Sequence, residues 1–194
     1  MKNADLLIEL GTEELPPRAL RALSQHFTAE LLKRLGAAGL THGEHRAFAS
    51  PRRLALLIEA VPAETPPQSI ERRGPAVAAA FGKDGAPSGA ALGFAKSCGV
   101  AIDSLERLQT DKGEWLVFRS EAPGQPLAAL LPSVVEGALA ALPIPKRMRW
   151  GDETHEFVRP VHWLVLLHGN VVIPATLFGI ASGRRTRGHR FMGE

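Results

Sequence analysis

Apolar residues recur along this chain in two rhythms. Leu6, Leu7, Ile8 and Leu10 form a short run closed by Gly11, whereas Leu20, Leu23, Phe27, Leu31 and Leu35 follow at helical spacing. The stretch Leu6–Pro17, LLIELGTEELPP, therefore predicts strand, tight turn and helix. Pro16 and Pro17 suit the opening turn of a helix, where a missing N–H would lack a partner anyway. Gly36 can end that helix. Two acids, Glu13 and Glu14, precede it, and the plainest reading is that they complement its dipole. The sharper reading is a carboxylate pair held at a strand end, facing a cation or a partner.

Further along, Arg46–Val61 contains Phe48 and the run LALLIEAV, broken by Ser50-Pro51-Arg52-Arg53. It predicts two strands or one bent edge strand, because Pro51 cannot donate to a ladder. Pro62–Pro75 carries four prolines and reads as a linker or extended loop. Pro87–Cys98 predicts a short helix with Ser88 as N-cap and Gly99 just past its end. Leu105–Thr110 and Glu114–Glu121 flank Asp111-Lys112-Gly113, a hairpin signal. Pro126–Leu142 predicts a second apolar helix, stopped by Pro143 and Pro145. Val161–Leu167, Val171–Ile173 and Ala175–Ile180 predict strands, with a turn at Gly169-Asn170. Helices and strands mix without βαβ alternation. The expected class is α+β: a mixed, largely antiparallel sheet with several helices packed on it.

Length and composition narrow this little. A chain of 194 residues suffices for one domain or a domain with a subdomain, and a compact chain of that size buries roughly 70% of its unfolded surface. The single cysteine, Cys98, excludes an internal disulfide and suits a reducing compartment. The most apolar run, Val161–Leu167, is too short to span a bilayer. MKNADLLIEL has an early Asp and no small-residue cleavage pattern. A cytoplasmic location without a membrane partner is expected.

Charge changes the picture more. The net charge is only +3, but arginines come in doublets at Arg52-Arg53, Arg72-Arg73 and Arg184-Arg185. Lys146–Arg149 has three cations in four residues, and Arg184–Arg190 has four arginines and His189 in seven. Clusters of this kind are the footprint of a polyanion site or simply of a solvated face. Arg149-Trp150, Arg159 near Trp163, and Arg190-Phe191 interleave cations with aromatics, as nucleic-acid surfaces do. The alternative is that Trp150 and Trp163 are core residues with solvated arginine neighbours.

Catalytic signals are sparse. Gly82-Lys83-Asp84-Gly85 with Gly89 and Gly93 matches no phosphate loop and reads as turn and helix packing. His42 and His45 could share an ion, but no further ligand pattern completes a set, and no metal is expected. There is no GxSxG elbow, and a lone Cys98 reads as a small core residue. His162, beside Trp163 in an apolar strand, reads as a hydrogen-bonded core histidine.

In order along the chain, LLIELGTEELPP, FASPRRLALLI, ERRGP, GAPSGAALGFAKSCGV, KGEW, KRMRWGD, FVRPVHWLVLL and SGRRTRGHRF resemble the β subunit of the bacterial heterotetrameric glycyl-tRNA synthetase. Arg147 departs from that pattern, where a small residue is expected. The resemblance implies a fold similar to the editing-type domain of the phenylalanyl-tRNA synthetase β subunit. It also implies that the 194 residues are one N-terminal domain of a much longer subunit. The partners implied are the α subunit, in an α2β2 assembly, and tRNA(Gly). ATP and Mg, used to adenylate glycine, belong to the α subunit, with no cofactor and no catalytic residue in this part. The expected role is support of tRNA binding and of α-subunit assembly.

Candidates for RNA or subunit contact are Arg52, Arg53, Lys146, Arg149, Arg159, Arg184, Arg185, Arg187, His189 and Arg190. Glu13 and Glu14 are acidic turn candidates that either order the arginine segments internally or face the partner subunit. One competing expectation is an editing-type hydrolase that deacylates mischarged tRNA, gathering Thr12, Glu13, Ser50, His162 and His189. Another is a pure scaffold, with the arginines paired to Glu13, Glu14, Glu153 and Glu156.

Overall fold

The computed structural model describes residues 3–82, 85–111, 113–151 and 154–188. In chain order the first elements are β1 (Asn3–Thr12), α1 (Pro17–Ala37), β2 (His45–Ser50) and β3 (Arg53–Pro62). Next come β4 (Gln68–Ala76), α2 (Val77–Ala80), α3 (Gly89–Cys98), a 3-10 turn at Ile102–Ser104, β5 (Glu106–Thr110) and β6 (Gly113–Ala122). The last are α4 (Leu127–Ala140), β7 (Met148–Arg149), β8 (Glu156–Phe157), β9 (Val161–His168), β10 (Val171–Val172), β11 (Thr176–Leu177) and β12 (Ile180–Gly183). The chain divides into two compact units, Met1–Pro66 with Gln125–Glu194, and Pro67–Gly124.

The first unit is built on a sheet of order β11-β12-β9-β1-β3-β2, with β10 also pairing β9. The pairings are antiparallel except for β12 beside β9, so the α+β class with a largely antiparallel sheet holds. Alternation along the strands sends Leu6, Ile8 and Leu10 to the same face as Leu54, Leu56 and Ile58 of β3 and Leu164 and Leu166 of β9. α1 contributes Leu23, Phe27, Leu31 and Leu35, α4 contributes Leu131, Val135, Ala138 and Leu139, and the two helices pack together over one core. Burying that stripe, more than helix propensity, is what holds a helix of this kind in place.

Ser50-Pro51-Arg52-Arg53 links two separate strands, and β3 is interior while β2, exposed throughout, is the edge. The strand expected over Ala175–Ile180 is broken into β11 and β12 by a two-residue turn at Phe178-Gly179. Both turn residues have positive φ, 53° and 72°. Phenylalanine is a poor turn signal, which hid the break. Its ring packs against Phe157, Trp150 and His155, at centroid distances of 5.2, 6.1 and 6.2 Å, and these contacts offset the backbone cost.

Glu13 and Glu14 lie before the first turn of the helix and do not cap it. The N-cap of α1 is Pro16, no side chain caps it, and no acid lies in its first turn. Arg147, the departure noted above, donates from Nη2 to the Ala140 carbonyl at 2.9 Å, at the negative end of α4.

The second unit is a sheet of order β4-β6-β5 with α2 and α3. Residues 68–75 of the stretch read as linker are strand, because β4 finds its partner in β6 and not in a local hairpin. α3 carries its expected caps: Ser88 Oγ accepts from the Ala91 N–H, and Gly99 is left-handed at φ 72°. Cys98 is half-buried and unbridged. Arg119 forks to Glu71 and Glu106 at 2.8 Å each; the bond to Glu71 first, then that to Glu106, raises its pKa above the ordinary value. Arg73 stacks 3.8 Å from the Trp115 ring centroid.

Candidate functional site

β1 lies between β3 and β9 and runs antiparallel to both, so its C-terminal end meets the N-terminal ends of its neighbours. Gly11 stands in register with Arg53 of β3 and with Trp163 of β9. Leu10, Leu54 and Leu164 face the helical core, so alternation sends these three to the opposite face. The Trp163 indole lies across Gly11, where a Cβ would come within 2.0 Å of ring atoms. No residue but glycine leaves that space.

Two residues back on the same face, Glu9 is buried. Its Oε1 accepts the Trp163 indole N–H at 2.6 Å, and its Oε2 stands 3.5 Å from Arg53 Nε. After β12 the chain meets these groups again. Thr186 Oγ1 donates to Glu9 Oε1, and an Arg53 Nη2–H donates to the carbonyl of Arg187. The guanidinium carbons of Arg53 and Arg187 each lie 5.9 Å from the Trp163 centroid, inside cation–π range.

A second charged group occupies the strand end itself. Glu13 Oε1 is 2.9 Å from His162 Nε2 and 3.6 Å from Arg52 Nη2. Arg52 Nε also donates to the Thr12 carbonyl at 3.3 Å, and the buried Thr12 hydroxyl donates to the Glu13 carbonyl at 2.7 Å. Arg159 ties down the next residue, donating from Nε to the Glu14 carbonyl and from Nη1 to that of Val158, both at 2.9 Å. Alongside runs an open groove of about 380 Å³ lined by His162, Trp163, Ile180, Gly183, Arg184 and Arg185. Arg184 donates to the Asn170 carbonyl at 3.1 Å. Arg185 is exposed and has no hydrogen bond or ion pair with another described residue.

The fold thus sorts the arginines named from sequence. Arg52, Arg53 and Arg159 are engaged with Glu13, Glu9 and the Glu14 carbonyl, and Arg187 lies over Trp163. Arg149 belongs to the β7–β8 ladder, 2.7 Å from Glu156. Lys146 is exposed and unpaired among the described residues, and Ser50 is exposed at the end of β2. His189, Arg190 and Glu153 lie outside the described residues. His162 is not a core histidine: its side chain is 34% exposed and meets Glu13. The β1–β9 register shifts here, Gly11 pairing with Trp163 and Thr12 with Val161, which leaves His162 as the bulged residue, out of the alternation of Leu164 and Leu166. Trp163 is buried, with arginines against its ring and not merely solvated beside it.

Three residues that hold this arrangement were missed: Glu9, Gly11 and Thr186. Glu9 left a signal, since a lone acid inside an otherwise apolar strand must find donors to be buried.

Fold and site together define an α+β protein whose central strand ends carry a network of paired charges beside Arg184 and Arg185, which face no acid among the described residues. Residues 6–194 match the family model described as the glycyl-tRNA synthetase beta subunit. The chain belongs to that family. It is 53% identical over its whole length to a glycine–tRNA ligase beta subunit of Enterobacter sp. (strain 638). It is 54% identical to those of Cronobacter sakazakii (strain ATCC BAA-894) and Escherichia coli O1:K1 / APEC. It spans 28% of the length of each of these relatives. No helix among the described residues is long and apolar enough to cross a membrane.

Proposed function

We propose that this chain is a non-catalytic part of a glycine–tRNA ligase β subunit and that it supports tRNA binding. ATP-dependent glycylation of tRNA(Gly), with its ATP and Mg, then resides on an α subunit with which β assembles as α2β2. The observation that carries the tRNA reading is the state of Arg184 and Arg185. Both line an open groove, one held only by a neutral carbonyl and the other by nothing among the described residues. Guanidinium groups left without a carboxylate are the ones able to displace counterions from a phosphate backbone. Arg52, Arg53 and Arg149 each face a carboxylate, Arg159 is tied by two carbonyls at the strand end, and Arg187 lies over the Trp163 ring away from the groove lining.

The test is charge reversal of both, Arg184→Glu with Arg185→Glu, in the full-length protein with its partner subunit present. Apparent affinity for tRNA(Gly) should fall at least about tenfold, and the slope of log affinity against log salt should flatten by about 1.5, two phosphate contacts being lost. An unchanged slope rejects tRNA docking at this segment. If subunit assembly is lost while the slope stays, the segment contacts the α subunit instead.

One observation favours a second reading, deacylation of mischarged tRNA: the Glu13–His162 pair at 2.9 Å beside the same groove. A carboxylate that orients an imidazole is the arrangement of a general base, which could activate water against an ester. On that reading the protein hydrolyses mischarged tRNA above background, and His162→Gln lowers the rate about 100-fold. Hydrolysis at background rate dismisses it.

A further inference from the structure

We propose that Glu9 is a positioning residue: a buried carboxylate that latches the basic segment 184–188 across the sheet and so sets how Arg184 and Arg185 are presented. The proposal rests on the tRNA-docking reading of those two arginines.

Glu9 sits near the middle of β1, the central strand, with its side chain only 7% exposed. A carboxylate buried there is tolerated only when donors surround it. Its partners come from three distant parts of the chain. Trp163 donates its indole N–H at 2.6 Å from β9, Thr186 donates a hydroxyl from beyond β12, and Arg53 adds not a hydrogen bond but the charge of its guanidinium, 3.5 Å away at the start of β3. Two of the three fix the basic segment. Thr186 is held by its own side chain, and Arg187 is held by its backbone carbonyl through Arg53, the same guanidinium that faces Glu9. Trp163 is in turn fixed by Gly11, which lets the indole lie flat enough on β1 to reach Glu9.

Residues 184–188 lie outside the strands, so this segment has no sheet ladder to order it. The Glu9 contacts supply that order. Arg185 immediately precedes the latched Thr186, so its direction of departure from the backbone is set there. Arg184, one residue further, is held at its other side by Asn170. Ordering a loop before binding spares the entropy otherwise lost on contact. Glu9 touches no phosphate on this account. It affects binding through the arrangement of charge, whereas Arg184 and Arg185 affect it through charge itself.

That difference makes the proposal testable with two variants of the full-length chain. Glu9→Gln removes the charge that faces Arg53. Thr186→Val removes only the latch hydroxyl and leaves the sheet untouched. Limited trypsin digestion followed by mass spectrometry reads cleavage after Arg184, Arg185 and Arg187. Both variants should be cut there about tenfold faster than the parent. Both should also bind tRNA(Gly) about three- to tenfold more weakly with the salt slope unchanged. Should Glu9→Gln loosen the whole sheet, Thr186→Val alone decides. Unchanged cleavage after these arginines in Thr186→Val overturns the latch. Faster cleavage with unaltered tRNA affinity upholds the latch and rejects the docking reading on which its purpose rests.

Discussion

Replacing Gly11 with alanine should destabilise the chain by about 3 kcal/mol, lowering its melting temperature by roughly 10 °C. The added methyl carbon would sit 2.0 Å from Trp163 ring atoms, far inside any real contact. Neither side can yield cheaply. β1 is hydrogen-bonded to β3 on one edge and β9 on the other, so its backbone cannot retreat without breaking two ladders. The indole is buried and its N–H is committed to Glu9, so turning it away takes one donor from a buried carboxylate. Contrast Gly137, where the nearest atom to a new Cβ, at 2.6 Å, belongs to the tip of the Arg34 side chain, which can swing into solvent. Thermal unfolding followed by circular dichroism measures the effect. Combining Gly11→Ala with Trp163→Leu should cost clearly less than the two single changes added together, because the clash is then gone. A melting point within about 2 °C of the parent for Gly11→Ala would mean the ring moves freely and the account of this face is wrong.

Phe27→Ala should cost about 4 kcal/mol. Phe27 is 1% exposed, lies midway along α1, and joins the core that α1 shares with α4 and the sheet. Truncating it removes transfer energy and leaves a cavity walled on several sides by rigid elements, which cannot collapse to fill it. Leu20, on the same helix but only partly buried, should cost less than half as much when cut to alanine. In urea, the Phe27→Ala midpoint should shift down with the slope unchanged, as for a loss of stability without a change in exposed surface. Equal costs at Leu20 and Phe27 would contradict the burial gradient along α1.

The site reads differently after the fold is known because proximity in it owes nothing to sequence. The bonds that define it join residues 154, 177 and 134 positions apart: Glu9 with Trp163, Glu9 with Thr186, and Arg53 with Arg187. Glu13 and Glu14 drew notice because they are adjacent and precede two prolines. Glu13 does find Arg52 and the imidazole of His162, but among the described residues Glu14 enters through its backbone carbonyl. Among the described residues, the carboxylate that bonds the basic segment is Glu9, a single acid in an apolar strand and no part of a charge cluster.

What the sequence determined by itself was everything that a short stretch of chain can enforce. The spacing of Leu23, Phe27, Leu31 and Leu35 makes α1. Ser88 and Gly99 bracket α3, and Pro51 ends one strand before Arg53 begins the next. Period and punctuation act over a few residues, and alternation says which side of a strand a residue occupies. Neither says which strand will be the neighbour. That depended on the order β9-β1-β3, in which the first strand of the chain is enclosed by a strand from the far end and by its own near neighbour. Only then does a tryptophan come to rest on a glycine, a buried acid gain its donors, and a run of arginines divide into those held by internal acceptors and those left exposed among the described residues.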